Sequence, residues 1–132
     1  MGRLIWFLTG LGLICSVVIA KRLPAPVVTP ITHNGVVYSV AGERDTEFIV
    51  AKDEKTGTES WRAVIYRQRI DNTKEADVQM IFIKGMLLSN ERLLIQDEAG
   101  RCYRLDLGTR KVQGTSCQAY RALMGANSKP QQ

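Results

Sequence analysis

The chain has 132 residues and a formal net charge of +5 at pH 7, from 18 lysines and arginines against 13 acidic residues. A chain of 132 residues is long enough for one domain of ordinary size plus a tail or an anchor, but not for two such domains. The basic residues are spread along the chain, which is typical of a solvated surface, so the charge gives no evidence for a dedicated anionic partner.

The chain begins with an apolar run. Residues 4 to 20 read LIWFLTGLGLICSVVIA, seventeen positions without a charge. As a helix this run spans about 26 Å, slightly less than the roughly 30 Å core of a bilayer. Lys21 and Arg22 follow it and supply an interfacial anchor. We predict that residues 1 to 20 form a signal-anchor or transmembrane segment; a cleaved signal and a lipoprotein modified at Cys15 are the alternatives.

Composition then divides the rest of the chain into three parts. Residues 21 to 34 contain three prolines and are predicted to form an extended stalk. Residues 35 to 125 show short β-rich runs separated by polar turns of two to five residues, which is typical of antiparallel meanders. Residues 126 to 132 read as a disordered tail. The predicted fold is therefore mainly β, a small antiparallel meander or sandwich-like domain with a short C-terminal helix.

The C-terminal helix is predicted near residues 117 to 124. Thr115 stands three positions before Gln118, the spacing of a capping box, and Gly125 is placed to cap the C-terminus. The apolar face of this helix is predicted to contain Ala119, Ala122 and Leu123.

Two cysteines lie outside the apolar run. Cys102 and Cys117 are fifteen positions apart, and a turn at Gly108 brings them together, so we predict a disulfide bond. Such a bond persists in an oxidising compartment, which favours a single-pass protein of the cytoplasmic membrane with its β domain periplasmic or extracellular. The alternative is two free thiols in a reducing cytosol.

One short pattern occurs twice. The stretch DEKTGTESW begins at Asp53, and 53 positions later DLGTRKVQG begins at Asp106, with Thr56 matched to Thr109. An aspartate at the start of a turn accepts backbone amide hydrogen bonds, and a glycine supplies positive φ near its end. Turn chemistry alone thus explains two similar hairpins.

The first copy, AKDEKTGTESW, also resembles the A-x-D-x-x-T-G-x-x-x-W signature of pyrroloquinoline-quinone-type β-propeller repeats. The second copy is degenerate, with Arg110 in place of the glycine and Gly114 in place of the tryptophan. The resemblance implies that Asp and Thr-Gly shape the turn between the last two strands of a blade, and that Trp61 packs between blades. Because a ring needs about four to eight blades, two copies do not close one, and no cofactor is expected.

Signatures of catalysis and metal binding are not found. The single histidine, His33, lies in the proline-rich stretch, and no Cys-x-x-Cys or His-x-x-x-His spacing occurs. The sequence also lacks a nucleophile elbow and a glycine-rich phosphate loop. We therefore predict a protein that is not an enzyme and binds no metal.

The stretch SWRAVIYRQR is the most suggestive surface. Strand alternation places Trp61, Ala63 and Ile65 on one face, so that Trp61 is predicted to be buried. The opposite face and its continuation supply the candidate partner-binding residues Arg62, Tyr66, Arg67 and Arg69. Arginine interleaved with aromatic residues occurs in single-stranded nucleic-acid sites, but an ordinary half-buried strand has the same pattern.

Together these features predict a non-catalytic envelope protein, whose membrane-anchored β domain is an accessory or scaffold subunit of a membrane-associated assembly. Its expected partners are the membrane and another envelope protein, with neither nucleic acid nor a small-molecule substrate. A small exported inhibitor or immunity-like protein is one alternative. An oligonucleotide-binding small β barrel is the other.

Overall fold

A computed structural model describes residues 24 to 128. The chain forms two four-stranded antiparallel sheets, each a simple meander in which consecutive strands pair. The first sheet contains β1 (Ile31–His33), β2 (Val36–Glu43), β3 (Thr46–Asp53) and β4 (Glu59–Arg67). The second contains β5 (Ile83–Ser89), β6 (Arg92–Asp97), β7 (Cys102–Asp106) and β8 (Val112–Thr115), and two helices, α1 (Ala76–Gln79) and α2 (Gln118–Asn127), complete the fold.

The hydrophobic core lies between the two sheets. The first sheet contributes alternate residues of its strands, and the second does the same, so the apolar residues interdigitate as in a sandwich. Fully buried members include Ile49, Leu93, Ile95 and Leu105, each 0% exposed. This arrangement confirms the prediction of a mainly β, sandwich-like domain with a short C-terminal helix, and it differs from a single small barrel.

The second sheet is also covered on its other side, by α2. A separate cluster of Leu94, Cys102, Cys117 and Tyr120 joins this helix to the sheet. Cys102 and Cys117 form a disulfide bond with their Cα atoms 5.2 Å apart, which confirms the predicted pairing. Gly85 makes the contact possible, because a side chain there would overlap the Tyr120 hydroxyl.

The ends of α2 differ from the prediction. Thr115 belongs to β8, Cys117 occupies the N-cap position, and no side chain caps the helix there. The helix continues through Gly125 to Asn127, so that glycine is not its cap. Its buried residue is Tyr120, whereas the predicted face residues Ala119 and Ala122 are exposed. Docking onto the second sheet, rather than local capping, therefore determines where the helix lies.

The N-terminal boundary of the domain also lies earlier than expected. β1 occupies residues 31 to 33, which were assigned to the stalk, and it pairs with β2. Val28 packs against the core as well. The predicted membrane segment, residues 1 to 20, lies outside the described residues. Within residues 24 to 128, no helix is long and apolar enough to cross a membrane.

Candidate functional site

The turn between β3 and β4 is organised by one carboxylate. Asp53 Oδ1 accepts hydrogen bonds from the amides of Lys55 at 3.0 Å and Thr56 at 2.8 Å. The amide of Gly57 donates to the carbonyl oxygen of Asp53 at 2.8 Å, and Gly57 has a φ of 70°. The hydrogen bonds to the carboxylate, above all the one from the Thr56 amide, lower the pKa of Asp53 below its usual value.

The turn between β7 and β8 has the same geometry. Asp106 Oδ1 accepts from the amides of Gly108 at 3.0 Å and Thr109 at 2.8 Å. The amide of Arg110 donates to the carbonyl oxygen of Asp106, again at 2.8 Å. Arg110 occupies the position of Gly57 and keeps its left-handed backbone, with a φ of 62°. The repeated sequence pattern therefore marks a repeated structure.

The equivalence extends to the start of each sheet. Both the β1–β2 turn and the β5–β6 turn contain an asparagine and one further residue, all four with positive φ. In the first sheet the carbonyl oxygen of Gly35 accepts from the amide of Glu54 at 2.9 Å. In the second, the carbonyl oxygen of Glu91 accepts from the amide of Leu107 at 3.0 Å. The two sheets are thus two copies of one four-stranded unit.

These two units do not face each other symmetrically. When the two units are aligned on their matching turns, Val37 of the first unit corresponds to Leu93 of the second, and Val50 corresponds to Tyr103. Leu93 and Tyr103 pack in the core between the sheets, whereas Val37 and Val50 lie on the side of the first sheet that faces away from it. The units are therefore stacked in one direction, as in a heterologous interface, with the front of one against the back of the next.

The same direction continues into α2. Tyr38, on the core side of the first sheet, matches Leu94 of the second, and Leu94 lies beneath α2. The second sheet thus covers the first, and the helix covers the second. No described helix or sheet covers the remaining side of this stack, which we call the outer face of the first sheet. It contains Val37, Ser39, Phe48, Val50, Arg62, Val64 and Arg67.

The outer face is apolar at its centre. Phe48 and Val50 are buried there although they belong to neither hydrophobic cluster, and Val64 beside them is 42% exposed. Neither Phe48 nor Val50 was predicted as a site residue, although both alternate along β3 with the core residues Ile49 and Ala51. Apolar residues on both sides of a strand are the signal that both sides are covered.

Of the four predicted partner-binding residues, two lie on this face. Arg62 pairs with Glu59 through two hydrogen bonds of 2.6 and 2.9 Å, and its guanidinium carbon lies 4.6 Å from the centre of the Phe48 ring. The bond to Glu59 raises the pKa of Arg62. Arg67 is opposite Thr46 at the end of the strand and is exposed. Arg69 follows in the loop and is also exposed.

Tyr66 is not on the outer face, and the predicted strand face for it was wrong. A register shift in the β3–β4 pairing inserts Ile65 as an extra residue, so that Tyr66 lies opposite Glu47 and turns inward. Its ring stacks on that of Tyr103 with centres 5.2 Å apart, and its hydroxyl donates to the carbonyl oxygen of Ile81 at 2.7 Å. Burial raises the pKa of Tyr66.

Two carboxyl groups are buried near this tyrosine pair, and neither was predicted to be buried. Asp97 is 0% exposed and accepts a hydrogen bond from the Arg101 side chain at 2.7 Å, which forms an ion pair with it. Glu47 is 2% exposed and has no ion pair with a described residue; its one hydrogen bond comes from the amide of Ile83 at 3.5 Å. Glu47 is two positions before Ile49 in β3 and so lies on the same face of the strand, and this pattern in the sequence could have indicated its burial.

Trp61 faces the core side as predicted but is only half-buried. Its ring centre lies 5.9 Å from that of Tyr38, and the guanidinium carbon of Arg110 lies 5.0 Å from it. The degenerate position of the second copy thus contacts the tryptophan of the first. This contact joins β4 of the first unit to the last turn of the second.

The described residues contain no group of three or more His, Cys, Asp or Glu side chains placed to hold a metal ion. His33 Nε2 instead lies 2.6 Å from a carboxylate oxygen of Glu91. That pair links the first turn region of one unit to the first turn of the other.

Comparisons with known proteins give no family for this chain. No protein-family model matches it, and no curated protein matches it at a significant level. Its function has to be inferred from the outer face, the buried carboxyl groups and the covalently attached helix.

Proposed function

We propose that this chain is a non-catalytic accessory or scaffold subunit that binds another protein through the outer face of its first sheet. The observation that carries the proposal is the one-directional stack. Its second unit has one side on the first sheet and the other under α2, whereas the first unit has only its core side covered by described elements.

The composition of the outer face agrees with this assignment. The positions that match it in the second unit, Leu93 and Tyr103, are covered by a whole sheet. A partner that contributes a sheet or a helix with an apolar surface would cover Val64 in the same way and exclude water from it.

The arginines at the edge of the outer face indicate which charge the partner should carry there. None of the described ion pairs involves Arg67 or Arg69, while Arg62 is already paired with Glu59. Acidic residues at the edge of the partner's interface would be able to pair with Arg67 and Arg69. Such rim charges contribute more to the association rate than to affinity.

The proposed setting is the outer side of the cytoplasmic membrane. Support comes from the uncharged run of residues 4 to 20 and from the disulfide bond, which requires an oxidising compartment to persist. On this proposal the two units are propeller-like blades used as a binding module without a ring or a cofactor.

The test is co-purification of the full chain from detergent-extracted native membranes. Val64→Asp places a carboxylate at the centre of the outer face, where burial of the charge opposes docking. We expect the co-purified partner to fall by roughly tenfold or more. A photo-crosslinking residue at position 64 should also capture that partner, and one at Gln113 on the second sheet should not.

The matched control is Val78→Asp. Val78 is 55% exposed in α1 and is not one of the outer-face residues, so the same substitution there should leave the partner bound. Retention of the partner by both variants would contradict the proposal. Loss in both would indicate that the effect is one of charge or expression rather than of this face.

A further inference from the structure

A cavity of about 480 Å³ opens at the end of the domain where β2 turns into β3. Its walls are mostly apolar and come from three parts of the chain: the entering segment, the β2–β3 hairpin and the stretch that leads into β5. The residues that matter most are Pro26, Val40, Ala41, Met80, Phe82 and Ile83. This volume lies in the range of pockets that bind small ligands or single side chains.

One carboxyl group lies in this apolar wall. Glu47 lines the cavity, is 2% exposed and has no ion pair with a described residue. Its single hydrogen bond, from the amide of Ile83, is long at 3.5 Å. A carboxylate in such surroundings lacks most of the donors that would stabilise its charge.

Access to this carboxylate depends on Gly42. Gly42 lies directly opposite Glu47 in the β2–β3 pairing, and a Cβ atom there would be 2.5 Å from Glu47 Oε1. Because residue 42 has no side chain, the Glu47 carboxyl group has room beside it, and both residues line the cavity. Asp97 shows the contrast, since its carboxylate is already satisfied by Arg101.

We propose that this cavity binds an aliphatic ammonium group, such as that of a lysine side chain, with the charge on Glu47 and the methylene chain along the apolar wall. The chemistry follows from the two components of the site: a buried carboxyl group without an ion pair to any described residue, and a mostly apolar cavity wall. An ammonium ion supplies three donors to a carboxylate that receives one weak hydrogen bond.

The other charges near Glu47 determine how binding depends on pH. Arg44 lies on the cavity wall but forms no ion pair with Glu47, and Glu98 and the Tyr66 ring face it from the second sheet and from β4. Burial, together with the charge of Glu98, raises the pKa of Glu47 to about 7. The ammonium ion should therefore bind at pH 8, where Glu47 is ionised, and weaken at pH 5.

The experiment is an NMR titration of the isotope-labelled full chain in detergent at pH 8 and pH 5. One probe is n-butylammonium, and 1-butanol is its neutral counterpart. A second probe is the blocked peptide acetyl-Gly-Lys-Gly-amide. We expect saturable shifts in residues 40 to 42 and 80 to 83 with butylammonium at pH 8, and at least tenfold weaker binding at pH 5. Binding of the peptide would identify a protein lysine as the source, and binding of butylammonium alone would identify a free amine.

Glu47→Gln should weaken butylammonium binding at least tenfold at pH 8, and Gly42→Ala should weaken it without removing the charge. Glu43→Gln is the control, because Glu43 is exposed in the same hairpin and does not line the cavity. Equal shifts with 1-butanol, unchanged binding by Glu47→Gln, or no saturable shift with either cationic probe would each overturn the proposal.

Discussion

Arg110 of the last turn lies over the ring of Trp61, with its guanidinium carbon 5.0 Å from the ring centre. The contact joins the fourth strand of one unit to the third turn of the other. It also explains why an arginine is tolerated at a position with a φ of 62°, where glycine is preferred.

Two opposing effects can be separated at this position. Arg110→Gly relieves the left-handed backbone, whereas Arg110→Ala keeps that strain, so the alanine variant should be less stable by about 1 kcal/mol. Both variants lose the stacking on Trp61. Chemical denaturation of the three proteins measures the differences, and equal stability of the two variants would show that the turn is not strained.

The contribution of the stacking itself is measured with Trp61. Because the ring is half-buried, we expect Trp61→Ala to cost about 2 to 3 kcal/mol of unfolding free energy, less than for a fully buried tryptophan. In a double-mutant cycle with Arg110→Ala, the coupling should be about 0.5 to 1 kcal/mol. Strict additivity would exclude an interaction between the two side chains.

Glu47 should make the domain less stable as the pH rises. The pKa of its carboxyl is about 7 in the folded chain and near 4.5 in the unfolded one, so the folded state holds the proton more tightly. Its stabilising contribution is complete below pH 4.5 and is lost by about pH 7. Glu47→Gln removes this dependence. The unfolding free energy of this variant, relative to that of the parent, should therefore rise by about 3 kcal/mol between pH 4.5 and pH 8. Denaturation across this range checks the sign; Glu43→Gln keeps Glu47 and should therefore follow the parent.

Tyr66→Phe removes the hydroxyl that donates to the carbonyl oxygen of Ile81 at 2.7 Å. Gln68 also donates to this oxygen, at 2.9 Å, so the acceptor stays satisfied and the cost should be about 1 kcal/mol. Tyr103→Phe is the comparison, since its contact with Asp97 is longer, at 3.4 Å, and its loss should matter less. A larger loss of stability for Tyr103→Phe than for Tyr66→Phe would show that the Tyr103 hydroxyl makes the stronger hydrogen bond.

Removal of the Cys102–Cys117 bridge should loosen α2 first. The double alanine variant loses a loop closure worth about 3 kcal/mol in the entropic model, and so short a helix then depends on packing alone. Hydrogen exchange should accelerate from about residue 115 onward before the strands of the first sheet respond. Uniform acceleration would mean that the helix and the sheets unfold together.

The apolar run before Pro24 should keep the full chain in the membrane fraction after a carbonate wash. Seventeen uncharged residues followed by Lys21 and Arg22 motivate this expectation. A soluble chain beginning near Lys21 would show instead that the run is a cleaved signal.

Features set by local chemistry could be predicted from the sequence. The strands, the two aspartate turns and the disulfide pairing all depend on alternation, turn residues or spacing. The inward turn of Tyr66 could not be predicted, because the extra residue at Ile65 is fixed by pairing with β3. Nor could the docking of α2, in which Tyr120 packs over Gly85 of β5. The outer face could be predicted only in part, since Phe48 and Val50 lie on β3 and its arginines lie on β4.

The stack formed by the first sheet, the second sheet and α2 has a direction, and units of this kind are capable of adding to one another end to end without closing. Such growth between copies would produce an open fibre. The helix occupies the surface to which the next copy would have to add, and the bond between Cys102 and Cys117 holds it there. In the folded chain the disulfide bond therefore keeps a cover on the side of the stack where end-to-end addition would have to occur.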